Sequence, residues 1–166
     1  MINKLLKALV LLSATAYPAG AEESLFVNSR SLTPEAALEL AKATLEACRA
    51  ENFQVTVAVL DRGGSVQVLL RDRFAGVHTP KTATLKAWTA ISFRTNTTDM
   101  AEESQHGKEQ SGVRHLPGVL AVGGGVMIRA AGQLVGAVGV SGAPGGQRDE
   151  DCAKKGLETM QDRLDF

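Results

Sequence analysis

The sequence predicts an α+β domain, one antiparallel sheet of about five strands with helices packed on it. Three observations carry this reading. Residues 119–146, VLAVGGGVMIRAAGQLVGAVGVSGAPGG, read as a β-hairpin running into a glycine-rich turn. Residues 55–71, VTVAVLDRGGSVQVLLR, read as a second hairpin around Asp61-Arg62-Gly63-Gly64. Outside them, apolar residues recur at helical spacing in three separate segments. With 44% hydrophobic but only 4% aromatic residues, the core must be built from Val, Leu, Ala and Gly.

Residues 1–21 read as a secretory signal outside the fold. Lys4 and Lys7 give a positive start, Leu5–Ala16 a short apolar run, and Ala19-Gly20-Ala21 a small-x-small cleavage site. The run falls short of the about 20 apolar residues a membrane span needs. Residues 22–166 then form a single domain, placed in the periplasm or outside the cell. Glu22–Leu32 is a loose lead-in. Thr33-Pro34-Glu35 starts a helix, with Thr33 as cap and Pro34 at the first position, and Ala37, Leu38, Ala41, Leu45 and Cys48 continue it to about Glu51. Val55–Leu60 and Ser65–Arg71 are the strands of the first hairpin. Thr79-Pro80 marks the next helix start, and Thr82–Arg94 carries Ala83, Leu85, Ala87, Trp88 and Ile91 at helical spacing. Asn96–Gly112 is polar, with room for a short helix at Asp99–Gln105; it either covers a site or meets another subunit. Leu116–Val122 is read as a short strand returning to the second hairpin, whose strands are Val126–Arg129 and Gln133–Val140. Gln147–Leu164 is the last helix, with Asp149, Glu150 and Asp151 in its first turn.

The strand Gln133–Val140 contains interior glycines that add backbone entropy and no packing. Something must come close to that backbone: a helix, a second subunit or a flat ligand. Both the packing reading and the ligand reading stay open from the residues alone.

Removing Lys4 and Lys7 from the 18 basic residues leaves 16 against 18 acidic ones. The linear sequence holds no basic run, so nucleic acid and anionic membrane are poor partners. Cys48 and Cys152 are the only cysteines. In an oxidising compartment they read as a disulfide, closing a loop of roughly a hundred residues worth ~4 kcal/mol on the chain-entropy model; two buried free thiols are the alternative. The absence of CxxC and CxxCH removes dithiol redox chemistry and covalent haem attachment.

VAVLDRGGSVQVLLRD, KAWTAISFRTNT and GGGVMIRAAGQLVGAVGVSGAPGGQRDEDCAKKG together resemble the GlcG/HbpS haem-binding family (DUF336), which includes the C-terminal domain of PduO-type proteins. The likeness covers nearly all of residues 33–164. Its most specific element is GxxxGAxGVSGA, here Gly132–Ala143. The resemblance implies a profilin-like fold, a five-stranded antiparallel sheet flanked by helices. It implies homo-oligomers from dimer to octamer and non-covalent binding of haem or a related tetrapyrrole, corrinoids in some members. It also implies haem sequestration, storage or transport, slow haem breakdown, or signalling through a sensor partner. The family shares no single axial ligand.

Haem needs an apolar slot, an axial donor and cations for its propionates. Tyr17 leaves with the signal, so the donors are His78, His106, His115 and the methionines, Met127 among them. His78 is the best placed, just before a helix start at a strand end, as the axial ligand of the iron; a local hydrogen-bonding histidine is the bland alternative. Arg71, Lys81, Lys86 and Arg94 are cations for the propionates, with Lys86 in the KA-x-TA motif of the resemblance; a structural ion pair is the competing role. Gly136, Gly139 and Ser141 would bring strand backbone to the cofactor, and Trp88 would stack or sit in the core. Other chemistries lack support. Gly123-Gly124-Gly125 is not GxGxxG, no P-loop or HExxH occurs, and GVSGA departs from a nucleophile elbow. A Ser141–His78–Asp72 triad is drawable, but nothing in the sequence brings the three together. Two functions of different class follow: an exported haem-binding protein without turnover, or an enzyme that degrades haem or acts on another small molecule.

Overall fold

Thr33 caps the first helix as its sequence requires: its hydroxyl accepts from the Ala36 N–H at 3.2 Å, and Pro34 follows at the first helical position. In the computed structural model, which describes residues 24–165, this helix is α1, Pro34–Ala50. The residues expected to form the secretory signal lie outside the described region. There follow β1 (Thr56–Asp61), β2 (Val66–Arg71), α2 (Thr79–Phe93), α3 (Thr97–Glu103) and a short 3-10 helix (Glu109–His115). The chain ends with β3 (Gly125–Ala130), β4 (Gln133–Ser141), α4 (Gly146–Glu158) and α5 (Gln161–Leu164). The expected single last helix is therefore two, broken at Thr159-Met160, where the Thr159 hydroxyl donates to the Gly156 carbonyl at 2.7 Å.

The sheet has four strands in the order β2-β1-β4-β3, antiparallel throughout. The expectation of five strands is corrected: Leu116–Val122 is loop. Pro117 and Gly118 turn the chain there, and the Leu120 N–H donates to the Thr89 hydroxyl of α2 at 2.9 Å instead of to a strand. The edge such a strand would need is also closed. On β3, the Gly125 N–H donates to Thr97 Oγ1 at 2.7 Å and the Met127 N–H to Asn96 Oδ1 at 3.1 Å. Side chains from the start of α3 thus satisfy donors that a fifth strand would have used.

Strand alternation divides the sheet into two faces. Val57, Val59, Val126, Ile128, Val138 and Val140 pack on Leu40, Ala41 and Leu45 of α1 and Ala153 of α4. Ala58, Leu60 and Ala137 pack on Ala83, Ala87, Ala90 and Ile91 of α2. A disulfide joins α1 to α4 on the first face: Cys48 and Cys152 are bonded, their Cα atoms 5.2 Å apart. No helix among the described residues is long and apolar enough to cross a membrane.

This geometry decides between the two readings of the glycine strand. Gly139 of β4 pairs with Gly125 of β3, and both lie beneath α2. A Cβ at Gly139 would fall on the Ala83 carbonyl oxygen, and one at Gly125 on the Lys86 carbonyl oxygen. Gly136 points to the opposite face, and a Cβ there would meet the Leu60 carbonyl of β1. The glycines admit a closely packed helix and a neighbouring strand, which is the packing reading.

Candidate functional site

The N-terminal end of α2 opens into a cleft of about 310 Å³. Three segments build it. The first is Gly76–Thr82, where the chain leaves the sheet and enters α2. The second is the loop carrying Leu120 and Val122, and the third is Ser141–Gly146, where β4 turns into α4. The entry into α2 is stiff. Thr79 Oγ1 donates to the Gly76 carbonyl at 2.7 Å and lies 2.7 Å from the Thr56 hydroxyl of β1, and Pro80 follows. Arg71 donates to the Ala75 carbonyl and so braces the same loop. Packed over Gly76, the His78 ring leaves no room for a Cβ there. The residue occupies the cap position of α2, yet its side chain makes no capping bond. Its carbonyl accepts from the Thr82 N–H and hydroxyl, but its ring is exposed and has no hydrogen-bond partner among the described residues.

The cleft floor is a buried ion pair. Lys86 Nζ donates to Asp149 Oδ2 at 2.7 Å and to the Val140 carbonyl at 3.0 Å, with the lysine 2% exposed. Asp149 also accepts from the Ala143 N–H at 2.9 Å, which fixes the turn after β4. Burial pushes the Asp149 carboxyl above its ordinary pKa, while Lys86 and the Ala143 and Gly142 amides pull the other way. Beside it Glu150, 1% exposed, accepts from both the N–H and the hydroxyl of Thr98 and pairs with Lys154 at 2.8 Å. The helix α4 thus locks α2, α3 and the β4 turn around the cleft. Leu120, Val122 and Ala143, with Val122 43% exposed, give the cleft an apolar rim. A neighbouring hollow of about 330 Å³ shares Val122 and Gly146 with the cleft.

Of the residues singled out from the sequence, His78, Lys86 and Ser141 line this cleft together. Lys86 is already committed to Asp149, so its role as a propionate partner gives way to the structural ion pair. Arg71 lies outside the lining and is tied to Ala75. Lys81, in the first turn of α2, is exposed and has no partner among the described residues. Arg94 caps the opposite end of α2. His106 and His115 are exposed and belong to the polar segment, away from the cleft lining. Met127 and Trp88 pack against the α2-side core, Trp88 between the turns at Gly64 and Gly118. The drawn triad does not assemble, because Arg49 holds Asp72 through bonds of 2.6 and 2.9 Å. Sequence reasoning missed Asp149 as the partner of Lys86. The available signal was the lysine itself, a charge within the Ala83–Ala87–Ala90 stripe that needs an acid wherever it is buried.

The family model described as haem degrading protein HbpS-like matches residues 32–158. The crystal structure of HbpS superposes with a TM-score of 0.77 and 35% identity, covering 84% of this chain and 97% of that one. A PduOC:heme complex superposes with a TM-score of 0.72 and 29% identity, covering 77% of this chain and 94% of that one. The corrinoid adenosyltransferase PduO of Salmonella typhimurium is 30% identical over 124 residues, 74% of this chain. The chain spans 37% of the length of that curated relative.

Proposed function

The chain belongs to the HbpS-like family, and on that premise we propose that it binds haem non-covalently in the cleft at the N-terminal end of α2. The observation that carries this is the free imidazole of His78, held by a braced loop at the mouth of an apolar-rimmed cleft. The residues present fit the group. His78 offers the iron a ring nitrogen, Leu120, Val122 and Ala143 offer apolar contact, and Lys81 offers a cation to a propionate. Lys86 and Asp149 hold the floor and keep the turn at Ser141–Gly146 in place. At about 310 Å³ the cleft sits at the small end of ligand sites, so the bound group extends past the rim, along the adjoining hollow or beneath a second copy of the chain. Bound haem would supply an iron centre able to take electrons or oxygen.

Sequestration, storage or transport in the periplasm or outside the cell is the role we assign. Residues 1–21 read as a signal, and the Cys48–Cys152 bond suits an oxidising compartment. Titration of the purified protein with hemin tests the binding: a saturable Soret band is expected, shifted or lost in His78→Ala. An unchanged band in that variant removes His78 from the site, and no band removes haem. The family description, haem degrading, favours a second reading in which bound haem is broken down. Hemin that survives for hours with reductant or peroxide, without iron release, excludes it. Cobalamin belongs in the same titration, since the name of one relative carries a corrinoid activity.

A further inference from the structure

The other end of α2 opens on a second cavity, of about 500 Å³. It is separated from His78 by that 15-residue helix, about 22 Å long. Four arginines from four parts of the chain line it: Arg30 of the lead-in, Arg62 of the β1–β2 turn, Arg94 at the C-cap of α2 and Arg129 of β3. Among the described residues, no aspartate or glutamate lines it. The chain has as many acidic as basic residues, 18 of each, so neutralising partners were available. Arg62, Arg94 and Arg129 nevertheless take part in none of the ion pairs among the described residues. Arg49 and Arg163, by contrast, are both paired.

Two details indicate a built site. Arg94 stands in the left-handed region, φ 53°, ψ 40°, a place that glycine or asparagine usually takes at a helix end. Its strained backbone sets a guanidinium at the cavity where an unstrained residue would have served the helix equally well. Arg129 is fixed across its own hairpin, Nη1 donating to the Gly132 carbonyl at 3.2 Å. Asn28, Ser29 and Gln133 add neutral hydrogen-bonding groups to the same walls. Arg62, Arg94 and Arg129, which take part in none of those ion pairs, repel one another, and an anion placed among them removes the repulsion.

We propose that this cavity binds a small polyanion carrying two or more phosphate or carboxylate groups. Guanidinium forks match both groups bidentately, which a set of lysines would not do. The site is separate from the haem cleft and does not rest on haem binding.

Calorimetric titration of the purified protein with inorganic pyrophosphate, and separately with citrate, tests it at a fixed ionic strength of about 0.15 M. Saturable one-site binding is expected for at least one probe. Arg62→Gln and Arg94→Gln should each weaken it about tenfold or more. Arg129→Lys, which keeps the charge and loses the fork, should give a smaller loss, and Lys42→Gln, on the exposed face of α1, should change nothing. Hemin binding should be the same in Arg94→Gln as in the parent, which separates the two sites. No heat with either probe overturns the proposal, as does equal affinity across the variants. Binding seen only with nucleic acid or anionic vesicles, without saturation by the small anions, overturns it too.

Discussion

Lys86 shows how a single residue joins core to cleft. Its stem passes through the alanine stripe of α2, and its ammonium ends on Asp149 and the Val140 carbonyl. Removing one partner strands the other charge. Lys86→Met should therefore cost about 3–5 kcal/mol by urea unfolding, and the double variant with Asp149→Leu should recover much of that loss. A double variant as unstable as the single one would contradict the pairing. Asp72 gives a prediction in pH. Arg49 holds its carboxyl below the ordinary value of 3.8. The unfolded chain takes up this proton first as pH falls, so it binds more protons between the two values. The pair's contribution is complete above the unfolded value and is lost as pH drops through the lower folded value. In urea melts from about pH 6 to about pH 2.5, Asp72→Asn should lower stability at the upper end and flatten the acid limb. An acid limb as steep as the parent's would count against it.

At the scale of elements, α2 and the β3–β4 hairpin are one unit. The helix lies so close to the sheet that Gly139 and Gly125 have no space for a side chain. Gly139→Ala forces backbone apart and should cost about 1–3 kcal/mol or more, whereas Gly112→Ala, with nothing within 4 Å of its added carbon, should be close to neutral. Comparable thermal midpoints for the two variants would refute the packing account. The disulfide acts between elements too, tying α1 to α4 across 104 residues of chain. Replacing both cysteines by serine should cost about 2–5 kcal/mol, measured without reductant. These elements were largely legible in the sequence, because Thr33-Pro34, Thr79-Pro80 and the two glycine-turn hairpins each follow from local chemistry. The fifth strand was not. Leu116–Val122 has an apolar pattern, but Asn96 and Thr97, some twenty residues earlier, already occupy the edge it would have joined. That competition is tertiary and leaves no local mark.

For the whole molecule, α2 is a strut with a different opening at each end. The end entered through His78 is apolar-rimmed, and the end closed by Arg94 is cationic. The first was partly readable: His78, Lys86 and Ser141 were singled out by sequence and do meet in one cleft. The second was not, since its arginines stand at 30, 62, 94 and 129 and form no run in the chain. A sequence without a basic stretch folds into a molecule with a basic cavity. The glycine strand shows the reverse: its residues stood out in sequence with packing and a flat guest both open, and Gly139 and Gly136 are taken up by contact with α2 and β1. What remains for a guest is the cleft above the Lys86–Asp149 floor. Hydrogen–deuterium exchange of the protein with and without hemin tests that placement most directly. Protection is expected at Gly76–Thr82, Leu120–Val122 and Ser141–Gly146, and protection confined to other segments, with these three unchanged, would contradict the account.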